Sequence, residues 1–346
     1  MRKTAIFFFS VLILLCIISC SSEGVVDDAF TVTVTFNGNG AKSGSMAPQR
    51  TGRGVETRLE ANAYEWPCHN FTGWNTASDG SGTAYTDGQS INTKENISLY
   101  AQWELDTVVL TSSTYTWTDG KAYILNSDVT IDLWVDVTGN VILILTDGNT
   151  LTASNGIAVN EGNSLTIEGE GTGSLFCEAT GGSAGIGGRI NRNGGEITIN
   201  GGTVNAFGGG SGAGIGGGYD GNGGAITING GTVNATGTDS GAGIGGGHGG
   251  NGGVITINGG TVIATGKFGG AGIGGGIYGN GVSTTINGGT VNATGGDTAG
   301  IGRGVSGTDD GNLTLGEGVV MKVSYDNSYW DDYDGTNPRQ YMKTVQ

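Results

Sequence analysis

The 346-residue chain carries 73 glycines, only 3 prolines, 36% hydrophobic residues and a formal charge of −16. Glycine without an every-third-residue period excludes a collagen-like rod, and the apolar fraction is enough to build a core. So acidic a chain has no basic stripe to displace counterions from phosphates, which excludes nucleic acid as a partner; the length fits about one to three domains.

Residues 1–20, MRKTAIFFFSVLILLCIISC, read as an export signal. Arg2 and Lys3 form the positive start, and Ala5 to Ile18 form an apolar run too short for a comfortable membrane span. The closing Ile17-Ile18-Ser19-Cys20 resembles a bacterial lipobox, with Ile17 where leucine is commonest. The resemblance implies that Cys20 receives lipid and becomes the mature N-terminus; an ordinary signal peptide cut nearby is the alternative. Each buried acyl methylene contributes about 0.8 kcal/mol, so several chains on Cys20 would anchor the protein stably. Residues 21–30 form a short tether of acidic and small residues.

Two cysteines remain beyond the leader, Cys68 and Cys177, in regions of different composition. Neither belongs to a CxxC or Cys/His spacing, so no metal or other cofactor is expected, and both read as unpaired, half-buried thiols.

Composition shifts at Thr31, where TVTVTFNGNG alternates Val32, Val34 and Phe36 with polar residues and ends in a glycine turn. Residues 31–104 then carry Val34-Thr-Phe-Asn-Gly-Asn-Gly, Phe71-Thr-Gly-Trp-Asn, Asp79-Gly-Ser-Gly-Thr and Leu99-Tyr-Ala-Gln-Trp103. This stretch resembles the Listeria–Bacteroides repeat of the internalin B type. The resemblance implies a small β-grasp-like module of bacterial surface proteins that spaces or adheres and has no catalytic residues. Trp74, Tyr85, Tyr100 and Trp103 read as core aromatics rather than sugar-stacking platforms, because so small a domain needs them for burial. His69 has no partner cluster and reads as surface.

From about Thr107 the chain begins to count. Ile199, Ile228, Ile257, Ile286 and Leu315 are each 29 residues apart, as are Ile186, Ile215, Ile244 and Ile273, with Ile301 arriving 28 later. A period in this range marks a repeat architecture. Within one unit Ile226 and Ile228 share a face, as do Val233 and Ala235, and Ala242 and Ile244, giving three short strands separated by glycine corners. Such strands pair only with their equivalents in the next unit, about 4.8 Å away, so residues 107–322 are expected to form a parallel β-helix of roughly seven to eight coils. Asn200, Asn229, Asn258 and Asn287 recur at one corner and predict an amide ladder. Residues 323–346, rich in Tyr and Asp, break the repeat and read as a C-terminal cap. The chain is therefore all-β, a small β-grasp-like domain followed by the helix. The AGIGGG…ITINGGTV…ATG pattern resembles glycine-rich β-helical repeats of bacterial surface proteins, some of them carbohydrate-binding, with no functional residues to carry over.

Candidate sites are few. GAGIGGG lacks the following helix and the Lys-Ser/Thr of phosphate loops. Asp220 gives way to His248 or Tyr278 in neighbouring coils, and Arg189 and Arg192 have no obvious acid partner. Asp331, Asp332 and Asp334 ahead of Gly335 form a weak calcium candidate, with a solvated acidic loop the stronger reading. The charged residues of the repeat do not stack into the paired carboxylates that acid–base chemistry needs, so no enzyme is expected. Thr198, Thr227, Thr256, Thr285 and Thr314 should line up outward as a possible ligand face, beside Thr203, Thr232, Thr261 and Thr290. Threonine is also simply a good strand-surface residue.

The sequence thus reads as a lipid-anchored protein of the bacterial envelope, displayed on its outer surface, with a non-catalytic binding or adhesion module. Its expected partners are the membrane, through the lipid, and a polysaccharide or a host surface glycan or protein. The alternatives are a β-helical polysaccharide lyase or hydrolase, and a structural rod or Thr-faced ice- or crystal-binding protein.

Overall fold

A computed structural model describes residues 30–317 and 319–326. Cys20, the tether up to Ala29, and Asp331, Asp332 and Asp334 lie outside the described residues. The chain divides into two compact units: one holds residues 44–64 and 73–102 with the stretch ending at Asn39, the other 40–43, 65–72 and everything from Trp103 onward.

The small unit centres on a five-stranded mixed sheet in the spatial order Gln49–Gly52, Thr31–Asn37, Ile97–Leu105, His69–Asn75, Ala84–Tyr85. The strands Thr31–Asn37 and Ile97–Leu105 run parallel and the outer pairs antiparallel, so the β-grasp likeness rests on this mixed sheet. No α-helix occurs among the described residues. The alternation read in TVTVTFN holds: Val32, Val34 and Phe36 are buried. Trp74 is fully buried, with its ring 4.9 Å from that of Phe36. Tyr85, Tyr100 and Trp103, expected in the core, are only half-buried. His69 is half-buried as well, stacked 4.1 Å from the ring of Trp66.

The second unit is a succession of three parallel sheets wound as a β-helix, two of eight strands and one of nine. In the regular coils each turn contributes a strand such as Ala225–Ile228 to the nine-stranded first sheet, one such as Thr232–Thr236 to the second, and the two-residue Ile244–Gly245 to the third. Seven coils carry all three strands, and the described chain ends the stack with a partial coil on either side, which agrees with the expected count. The last strand, Val320–Asp326, pairs in parallel with Thr290–Gly296, so the stack runs past Lys322, where the sequence pattern had ended it.

The counted apolar residues fill the interior. Ile199, Ile228, Ile257 and Ile286 stack in register, as do Val204, Val233, Val262 and Val291, and Ala206, Ala235, Ala264 and Ala293. All belong to one continuous core with no more than 1% exposure. Leu315 and Ile301, at the last coil, are half-buried against it. At the opposite end the interior is aromatic: Trp117 stacks on Tyr123 at 5.1 Å, and its indole nitrogen donates to the Thr114 carbonyl at 2.9 Å. Burying the indole with its N–H satisfied avoids the cost of an orphaned donor.

The predicted amide ladder is present. The side-chain nitrogens of Asn229, Asn258 and Asn287 donate to the oxygens of Asn200, Asn229 and Asn258 at 2.7, 2.7 and 2.8 Å. It begins on a carboxylate, because Asn200 donates to Glu168 at 2.6 Å.

Both cysteines are free, and both are buried rather than half-buried. Cys177 occupies an inward position, paired in register with Ala153 on one side and Ala206 on the other. A small apolar side chain is what that rung accommodates. Burial pushes both thiols above their ordinary range, Cys177 most strongly. A raised pKa keeps the thiol protonated at neutral pH and starves alkylation of thiolate. Cys177 is therefore expected to stay unlabelled by iodoacetamide in the native protein and to react fully in denaturant; peptide mass mapping checks this. Native labelling of Cys177 at the rate of a free thiol would mean that its coil opens.

Candidate functional site

The first sheet places the sequence-predicted threonines together. Thr198, Thr227, Thr256, Thr285 and Thr314 pair in register down five successive strands. The first four are half-buried and Thr314 is exposed. Thr198, Thr227 and Thr256 each sit between two inward isoleucines, Thr285 between buried Thr284 and Ile286, and strand pleating turns them outward. The column is longer than expected, because Thr166 pairs with Thr198 and extends it by one coil. It escaped the 29-residue count because this coil is longer: Asn200 meets Glu168, 32 residues earlier, rather than a residue 29 back. The signal was nonetheless present, since Leu165-Thr166-Ile167 repeats the pattern of Ile197-Thr198-Ile199.

Two positions along each strand lies the Asn ladder, so the outer surface of this sheet carries a hydroxyl column beside an amide column. Coils stack about 4.8 Å apart. The amides are committed to one another, which fixes their rotamers, while the hydroxyls rotate freely and can donate or accept.

The second sheet is also polar outside. Thr203, Thr232, Thr261 and Thr290 align as expected, and further along the strand so do Thr236, Thr265 and Thr294. Between them the column Asn205, Asn234, Ile263, Asn292 is interrupted by exposed Ile263, and Phe207 replaces threonine at the head of the third column. The first-sheet column has no such interruption.

Some charged residues of the helix pair off locally. Arg189, which the sequence left without an acid partner, sits 2.7 Å from Asp136 and lies over the ring of Trp134 at 4.8 Å. Asp136 belongs to a strand of an earlier, irregular coil that the 29-residue register does not reach. Arg303 lies 3.2 Å from Asp310. His248 stacks at 4.7 Å on Tyr219, not on Asp220, so the alignment of His248 with Asp220 was one residue out, while Tyr278 keeps the register; the His248 ring nitrogen lies 3.4 Å from the Asp220 carboxylate. Among the described residues no group of three or more His, Cys, Asp or Glu side chains is placed to hold a metal ion. The weak calcium candidate at Asp331, Asp332 and Asp334 lies outside them.

Residues 33–102 match the family model of the Listeria-Bacteroides repeat domain. Four segments, 197–219, 226–248, 255–277 and 285–302, match the beta helix repeat. Neither curated proteins nor solved structures show a match. The repeats matched are of the kind found in surface and extracellular proteins, and the chain is a repeat protein of that kind.

Proposed function

We propose that this protein is anchored to the bacterial envelope through lipid on Cys20 and displays its β-helix outward to bind a glycan without cleaving it. The observation that carries the reading is the column Thr166, Thr198, Thr227, Thr256, Thr285 and Thr314, in register and flanked by a rigid amide ladder. Evenly repeated hydroxyls on an ordered sheet suit a ligand that is itself a repeating, hydroxyl-rich polymer, because each rung repeats the same hydrogen bonds. The binding groups are pre-ordered, so little conformational entropy is lost on association. The kinship of both repeat types with surface proteins supports the location.

The test is an oligosaccharide array probed with the mature protein, with release of reducing ends measured in parallel. Binding without release is the expected result. Replacing Thr198, Thr227, Thr256 and Thr285 together by valine keeps shape and strand preference but removes the hydroxyls, and should weaken binding by about ten-fold or more if each net hydrogen bond contributes about 0.5–1.5 kcal/mol. Release of reducing ends would instead support a polysaccharide-degrading enzyme, and neither binding nor release a structural rod.

The anchor is tested separately. Cys20→Ala is expected to move the protein from the membrane fraction to the soluble one. Unchanged fractionation, with no acyl mass on the N-terminal peptide, would refute lipidation.

A further inference from the structure

Beside the threonine column, where the chain passes from the third sheet into the first, the outer surface is concave. The groove has a volume of about 510 Å³. That lies within the range of small-molecule sites. One wall is a single strand position followed through five coils: Asn140, Ser164, Glu196, Ala225 and Val254 pair in succession. At about 4.8 Å per coil the groove runs along the coil axis for roughly 20 Å. Its lining also includes Glu161, Asn193 and Asn222.

These walls are tied down by their own hydrogen bonds. The Asn193 amide nitrogen donates to Glu161 Oε2 at 2.9 Å, and its oxygen accepts from the Asn222 backbone at 2.9 Å. The Asn222 oxygen in turn accepts from the Asn251 backbone at 2.8 Å, and the Ser164 hydroxyl donates to Asn140 at 2.9 Å. Each amide is held by the next coil, so the groove is formed before any ligand arrives.

Its charge is one-sided. Glu161 and Glu196 are the charged side chains that line it, and both are carboxylates. An ionised carboxylate only accepts hydrogen bonds, and neighbouring hydroxyls of a hexose ring are well spaced to donate to its two oxygens. A hexuronate or sulfated sugar would bring a like charge to these groups on a chain already at −16. Along its length the groove changes from Asn140 and Ser164 to Ala225 and exposed Val254, which lets it meet the C–H faces of a sugar ring as well as its hydroxyls.

Resting on the glycan reading above, the geometry points to a single strand of neutral hexose polymer lying in this groove along the coil axis, its hydroxyls donating to Glu161 and Glu196. The probes are neutral hexose hexamers and hexuronate hexamers, titrated by calorimetry against the mature protein. Neutral hexamers should bind and hexuronate hexamers should bind about ten-fold more weakly or not at all. The double variant Glu161→Gln and Glu196→Gln should weaken neutral binding by about ten-fold, the loss expected for hydrogen bonds to charged acceptors. Ala225→Trp, at an exposed position, should fill the groove and abolish binding while circular dichroism shows the fold intact. Neutral binding that survives Ala225→Trp but falls with the threonine-to-valine variant would overturn the groove and leave the glycan reading standing. Tighter binding of hexuronates would overturn the ligand class, and no glycan binding at all would overturn both.

Discussion

Ile257→Ala is expected to destabilise the β-helix by about 2–5 kcal/mol, whereas Thr256→Ala, one residue away, should cost within about 0.5 kcal/mol. Ile257 is fully buried and stacks in register between Ile228 and Ile286, so its removal empties a rung that neighbouring coils share. The backbone is pinned on both sides, with the Asn258 amide donating to the Ile228 carbonyl at 2.7 Å and the Asn287 amide to that of Ile257 at 2.7 Å. Collapse into the cavity is therefore hindered, which favours the upper part of the range. Thr256 faces outward and loses only a strand-surface hydroxyl. Because coils couple mainly to their neighbours, the loss should appear as faster hydrogen exchange in peptides flanking Ile257 first, with the Listeria-Bacteroides repeat unchanged. Equal losses at the two positions would contradict the inside–outside assignment.

The parts of this fold legible in the sequence are those repeated at constant spacing. From Glu196 onward the coils keep step, and the isoleucine, valine and alanine positions, the outward threonines and the Asn ladder all fell where alternation put them. Before Glu196 the coils differ in length, and register arguments fail there for a physical reason: a loop can lengthen at a corner without disturbing the sheets on either side. Thr166 was lost that way, and so was the Arg189–Asp136 pair, which joins a regular coil to an irregular one. The buried state of Cys177 could have been read, because Leu175 and Cys177 alternate like Val204 and Ala206. The groove was not legible. Its walls come from five coils and from a corner whose path the glycines alone do not specify, and periodicity says which residues face outward but not where the outer surface is concave.

Corner glycines were expected for their backbone freedom, but the third sheet uses glycine for a second reason, and this makes Gly245→Ala a harsh substitution for its size. Gly187, Gly216, Gly245, Gly274 and Gly302 form one column, all at φ between 134° and 138°. L-residues avoid that region, and holding one there costs about 1–3 kcal/mol. In addition, a Cβ on Gly245 would be driven into the carbonyl of Gly274 in the next coil, which is backbone and cannot rotate away. Strain and overlap act together, so Gly245→Ala should unfold the coils around it or force them apart. Gly148 separates the two effects: it also has positive φ, at 74°, but a Cβ there meets nothing within 4 Å. Gly148→Ala should therefore cost only the left-handed penalty of about 1–2 kcal/mol. Urea denaturation of the two variants decides the matter, with the midpoint for Gly245→Ala expected well below that for Gly148→Ala. Equal midpoints would mean that backbone conformation alone selects glycine in the third sheet, and that the coils are not packed as closely as the stacked Ile-Gly strands require.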